Sequence, residues 1–299
     1  RCEEVGLPKE LLDEHNRFPS KLSHSYKFDY YRRPIVDEWI YFLRIFLKTK
    51  IPEINLSKVK TNINITHDVD RPSRFQFSTR KDFLRLLLAL IFKQHQYNEA
   101  LSAIYIRIFK NKTLKKIDSN NTFDFLMNVS EEFGLKSIFY FISGGNNNYY
   151  DGDYLLQDIR IENLLTLIYK RGHYIGLHPS YDSFLSLKKI KNEFLNLKNT
   201  FKKLKIKQIY NLNRMHYLKW RWPMTSNILE KIGINEDSTL GFTDLNGFRC
   251  GTSHSFKMFD PVVKEELNLI QKPLIVMDSS LFNDSYIDLK KENKIVKNV

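Results

Sequence analysis

From Ile63 onward, short apolar runs of strand length alternate with longer runs whose apolar residues recur at helical spacing. A chain that alternates in this way folds as an α/β protein, with a mainly parallel sheet or an α/β barrel. The spacing predicts strands over Ile63–Thr66, Ser137–Ile142, Tyr174–Leu177, Ile209–Leu212 and Leu274–Met277. Between them it predicts helices over Lys81–Phe92, Thr122–Phe133, Ile161–Arg171, Leu187–Leu204 and Ser226–Ile232. Gly134, Gly172 and Gly233 each follow a helical run, where a helix-ending glycine is expected. The stretch from Arg71 to Asn121 is long for one crossover and reads as an insertion of helices over one face. Residues 1–60 read as an N-terminal extension, with an aromatic piece from Tyr26 to Tyr31 and a helix over Val36–Lys48. No internal repeat is evident.

Composition narrows the classes. A chain of 299 residues, 42% hydrophobic, can build one large domain or two small ones. It holds 11 glycines and neither a GxGxxG nor a GxxxxGK[ST] string, which argues against the familiar nucleotide loops. The formal charge of +13 suits a lysine-rich surface, or attraction to anionic glycans, lipids or nucleic acid. No nucleic-acid-binding signature accompanies it, so a nucleic-acid partner is not expected. Cys2 and Cys250 have no metal or redox spacing. No apolar run approaches the roughly 18 residues of a membrane span, and Phe83–Phe92 reads as a buried helix. Peripheral membrane association stays open. No signal peptide is visible and a cytoplasmic location is expected, although a chain opening on Arg1 leaves secretion open.

The chemistry concentrates at strand ends. Thr66-His67-Asp68-Val69-Asp70 closes the first strand. Residues i and i+2 of a strand point the same way, so Asp68 and Asp70 project together. Two adjacent carboxylates repel unless a cation sits between them or one takes a proton, which points to a metal. His178 follows the strand at 174–177 and opens His-Pro-Ser-Tyr-Asp-Ser. In α/β folds such strand ends are where ligand sites lie. A carboxylate with imidazole suits zinc or a similar ion, which takes three protein ligands and keeps an open position. The third donor is either Asp182, four residues after His178, or His216, after the strand at 209–212.

THDVD, GLHPSYDS, RMHYLKW and DSTLGFTDLNGFRCGT, in this order, resemble the polysaccharide deacetylases of the NodB-homology type, carbohydrate esterase family four. The nearest likeness is to a subgroup linked to bacterial surface polysaccharide clusters. The resemblance covers 61–299. It implies an irregular (β/α) barrel after the N-terminal extension, and metal-dependent removal of an acetyl group from an N-acetylated sugar. By position, Asp68 would be the general base, with Asp70 and His178 metal ligands. The family's second histidine is replaced by Asp182, and His216 is preferred as the replacement ligand. Arg214 would orient the base and the Tyr217 backbone N–H would help hold the oxyanion. Asp237 and Arg249 would support them. Trp220 and Trp222 would be stacking platforms for a sugar, or core. The metal is expected to be zinc, and the partner an N-acetylated carbohydrate.

The implied mechanism needs an acid to protonate the departing amine. The family draws it from a late Leu-x-His motif, which is not found before Val299. The barrel domain is therefore expected to be truncated at its C-terminal end, with His254 a weak substitute. Two rivals follow from the same residues. One is a related amide hydrolase; the other is an inactive glycan-binding protein that keeps the groove.

Overall fold

A computed structural model of the chain describes residues 2–58, 62–109, 112–145 and 149–283. The expected truncation near Val299 and the side chain of Cys2 lie outside what is described. The chain divides into two compact units. One joins Arg1–Thr61 to Asn213–Val299; the other is Asn62–Leu212.

In the first of these, the N-terminal segment holds a single turn, α1 (His24–Lys27), and a long helix, α2 (Ile35–Lys50). Asp37 and Glu38 sit in the first turn of α2, and Lys48 and Lys50 in the last. That distribution complements the helix dipole. Asp37 also anchors the helix start by accepting from the backbone N–H and hydroxyl of Ser253 at 2.8 and 2.7 Å.

The unit Asn62–Leu212 is a parallel α/β assembly. Strand β1 (Ile65–Val69) is followed by α3 (Arg80–Leu88), a π turn (Ala89–Lys93) and α4 (Tyr97–Ile108). This is the helical insertion that the length of the crossover implied. Next come α5 (Phe123–Glu132), β2 (Ser137–Ile142), α6 (Ile159–Lys170), β3 (Tyr174–His178) and α7 (Leu187–Leu204). β2 lies between β1 and β3, parallel to both, with Asp68 opposite Tyr140 and Ile142 opposite His178. All six residues of β2 are buried, as expected of a central parallel strand covered on both faces. Its unbroken apolar run, Ile-Phe-Tyr-Phe-Ile, is the signature of that burial. Gly176 lets β3 approach, because a Cβ there would collide with the Tyr140 ring.

β4 (Leu212–Asn213) is two residues long and carries the chain from one unit into the other. After it come α8 (Met224–Ile232), β5 (Glu236–Asp237), β6 (Phe256–Asp260), β7 (Glu265–Gln271) and α9 (Asp278–Asn283). Gly233, at φ 84°, closes α8 in the left-handed conformation. β7 pairs parallel with β5 and antiparallel with β6.

Three expectations fail here. Of Ile209–Leu212 only Leu212 lies in a strand, because the Gln208 side chain, not a strand backbone, takes the Ile175 N–H and carbonyl. In Phe83–Phe92 only Phe83 and Leu90 are buried, the helix packing one face and leaving the other in water. Leu274–Met277 is not a strand. It runs as a loop whose hydrogen bonds go elsewhere: Leu274 N donates to Leu240 O, and Ile275 O accepts from Gly247 N. The β6–β7 hairpin went unpredicted, because its strands are rich in Lys, Asp, Glu and Asn and bury few residues. The described pairings are mostly parallel, and barrel closure is not among them.

Candidate metal centre

The tips of β1 and β3 bring three of the expected residues together. His178 Nε2 lies 3.5 Å from Asp70 Oδ1 and 3.9 Å from Asp68 Oδ2. The imidazole is 2% exposed, while the carboxylates are 30% and 48% exposed for Asp68 and Asp70. A buried imidazole thus faces two carboxylates open to solvent. Alternation along β1 sends His67 to the opposite side. There it meets the Ser137 hydroxyl at 3.2 Å and stacks on Phe139.

The donor set and its spacing fit a divalent ion. Two ligands of a tetrahedral zinc, each about 2.1 Å from the metal, stand roughly 3.4 Å apart. The 3.5 Å separation of His178 and Asp70 matches that edge. The longer separation of Asp68 leaves it beside such an ion rather than closest to it.

Residues that the motifs did not flag hold these tips in place. The Tyr154 hydroxyl donates to Val69 O at 2.6 Å and accepts from Ile142 N at 2.7 Å. It therefore clamps the end of β1, between Asp68 and Asp70, to the end of β2. Burial pushes this phenol well above its ordinary pKa, so it stays a donor. Beyond His178, Ser180 donates its N–H and hydroxyl to Glu193 of α7 at 2.8 and 2.5 Å. Asp151 accepts from Tyr181 N at 2.7 Å. Burial raises the Glu193 carboxyl, against the hydrogen bonds from Ser180. Tyr154, Glu193 and Asp151 carry no local pattern of their own; their partners lie far off in sequence. Asp182 is exposed. Residues 181–185 form turns rather than a helix, so the one-turn spacing to His178 is not realised.

His173, one residue before β3, is buried. Its Nδ1 accepts from Ser137 N at 3.0 Å, where β2 begins, and its Nε2 faces Glu131 at 3.0 Å. The histidine thus caps the start of β2 from inside.

The other expected residues lie in the unit with the N-terminal segment. Asp237 is fully enclosed and accepts from Asn213 Nδ2, Thr239 Oγ1 and Thr239 N at 2.7, 2.7 and 2.8 Å. Burial pushes its carboxyl up, against those hydrogen bonds and the nearby charge of Arg214. Arg214 is buried and donates to Ser238 O at 3.2 Å. His216 is buried and opens a 3₁₀ turn, His216–Leu218. Tyr217 and Leu218 have φ of 57° and 52°. Two successive bulky residues in the left-handed region store strain, on the order of 1–2 kcal/mol each. Arg17 Nη1 donates to Tyr217 O at 3.0 Å, and the His15 ring packs on the Tyr217 ring. Arg249 is buried in a two-pronged pair with Glu4 and also donates to Gly241 O. Trp220 is buried; Trp222 is half-buried, 6.3 Å from it between ring centroids. Both border a cavity of about 150 Å³, which reaches Glu4 and Phe18. His254 is exposed.

Comparison with known proteins adds three findings. A family model described as a family of unknown function, DUF7033, matches residues 1–52. No curated protein matches the sequence. A solved structure described as "putative polysaccharide deacetylase from Mycobacterium smegmatis" is similar at 14% identity and a TM-score of 0.40. The match covers 73% of this chain and 61%, less than two thirds, of that one.

Proposed function

We propose that this chain is a metal-dependent hydrolase that removes N-acetyl groups from a polysaccharide or glycan precursor. The observation that carries the proposal is the buried His178 imidazole held against Asp68 and Asp70 at the tips of β3 and β1, on either side of β2 in one sheet, at separations a divalent ion would span. The motif resemblance supplies the substrate class. By the motif resemblance Asp70 and His178 are two metal ligands and His216 the third, a set of one carboxylate and two imidazoles that suits zinc. When bound, such an ion supplies Lewis acidity and a water of lowered pKa.

The chain's own residues do the rest. Asp68 accepts a proton as the base, being near the centre yet more distant from His178 than Asp70 is. Arg214 orients the base. The Tyr217 backbone N–H serves the oxyanion, and the strained turn at Tyr217 and Leu218 is the kind of backbone that functional sites retain. Asp237 fixes the segment that carries Arg214 through Asn213 and Thr239. Trp220 and Trp222 flank the sugar. Arg249 commits its guanidinium to Glu4 and the Gly241 carbonyl, and its part is to hold the fold.

The test is elemental analysis of the purified chain beside His178→Ala, followed by acetate release from N-acetylated oligosaccharides. About one equivalent of zinc in the parent chain, lost in the variant, with acetate released only by the parent, is expected. Metal retained in His178→Ala would refute the centre. Sugar binding without acetate release would leave a glycan-binding protein on the same fold.

A further inference from the structure

We propose that the helical insertion between β1 and β2 is a docking face for the surface of an anionic lipid bilayer. Its inward side is settled: Phe75, Phe83, Leu90, Ala100, Ala103 and Ile106 form an apolar cluster of their own. The outward side is the anomaly. Leu84 and Leu88, one turn apart on α3, are 56% and 54% exposed, and Phe92 on the π turn is 72% exposed. Leu101 and Ile108, two turns apart on α4, are 66% and 65% exposed, with Phe109 beside them at 55%. A solvated helix places polar residues at such positions, and clustered large apolar side chains facing water mark an interaction surface.

Charge decides what covers this face. Residues 80–116 contain nine Lys or Arg against two acids, Asp82 and Glu99, a net +7 out of the whole chain's +13. Lys81, Arg85, Lys93, Lys112 and Lys116 are all exposed. A second copy would bury the leucines but set +7 against +7. A nucleic acid would satisfy the cations and has no use for the leucines. An anionic bilayer takes both: apolar side chains enter the headgroup boundary while the cations meet lipid phosphates. No helix among the described residues is long and apolar enough to cross a membrane, so the mode is interfacial. The proposal does not depend on the deacetylase assignment, since it concerns only this face.

Flotation of the full chain with two kinds of vesicle tests it: phosphatidylcholine alone, and phosphatidylcholine with one third phosphatidylglycerol. Binding to the anionic vesicles is expected, at least tenfold tighter than to the neutral ones and weakening as salt rises. The combined substitution Leu88→Ser, Phe92→Ser and Leu101→Ser, all outward-facing, should weaken it tenfold or more while metal uptake stays at the parent level. Lys93→Gln, Lys112→Gln and Lys116→Gln together should weaken it about a hundredfold, at roughly fivefold per cation. These exposed lysines keep the test valid should the serine variant misfold. Three outcomes overturn the proposal: no binding to either vesicle, binding indifferent to the serine changes, or a vesicle-free dimer that the serine changes disperse.

Discussion

At the residue scale, the two acids of the strand tip are alike in type and differ in setting. Asp70 lies closer to His178 than Asp68 does, and the proposed function gives the metal-binding role to Asp70 and the proton to Asp68. Asp68→Asn should lower acetate release by about a hundredfold or more, as loss of a general base does, while metal content measured by elemental analysis stays near the parent value. Loss of the metal instead would exchange the two roles. His216→Ala should weaken metal binding in a competition titration, whereas the exposed Asp182 can become Ala with little effect. The acid pair and His178 were legible because strand alternation is local: two residues apart means the same face. Tyr154 and Glu193 were not legible. Each acts through backbone or hydroxyl groups remote in the chain, and a tyrosine or glutamate in a loop or helix has no pattern that announces such a partner.

At the element scale, the centre depends on two strand tips staying in register. Tyr154→Phe removes one hydroxyl and leaves both Val69 O and Ile142 N without it. A cost of about 1–3 kcal/mol is expected for those buried groups, read by urea unfolding, together with weaker metal binding. The opposite end of β2 is held through His173 and Glu131. Hydrogen bonds from Arg171 and His173 hold the Glu131 carboxyl down at about 2, against an ordinary value of 4.5. A carboxylate held low stabilises the fold above its ordinary range and loses that contribution as pH falls through the folded value. Stability should therefore drop between pH 4.5 and about 2. Glu131→Gln should be less stable above that window and flatter across it; equal slopes for both proteins would remove Glu131 from the account. Most helices and the central strands were legible because their apolar residues repeat at one clear period. β6 and β7 were not, being polar strands with few buried positions, and the apolar Leu274–Met277 misled because its backbone is bonded by loops.

At the scale of the whole molecule, the N-terminal segment is integral to its unit. Glu4 and Arg249, with side chains 7% and 2% exposed, form a buried ion pair across 245 residues of sequence. Arg249→Met takes the guanidinium away from a buried carboxylate and should cost about 3–5 kcal/mol, whereas combining it with Glu4→Leu should recover much of that loss. Denaturant unfolding of the two variants checks this; a single variant as stable as the parent would show that the pair contributes nothing. By itself the sequence determined the alternation of strands and helices, the insertion after the first strand and the acid pair that shares one face at that strand's end, because each is written in spacings of a few residues. Only the tertiary structure decided which residues clamp the strand tips and that residues 1–61 share a unit with 213–299. Those outcomes depend on burial and hydrogen bonding between residues tens to hundreds of positions apart, and periodicity along the chain carries no record of such meetings.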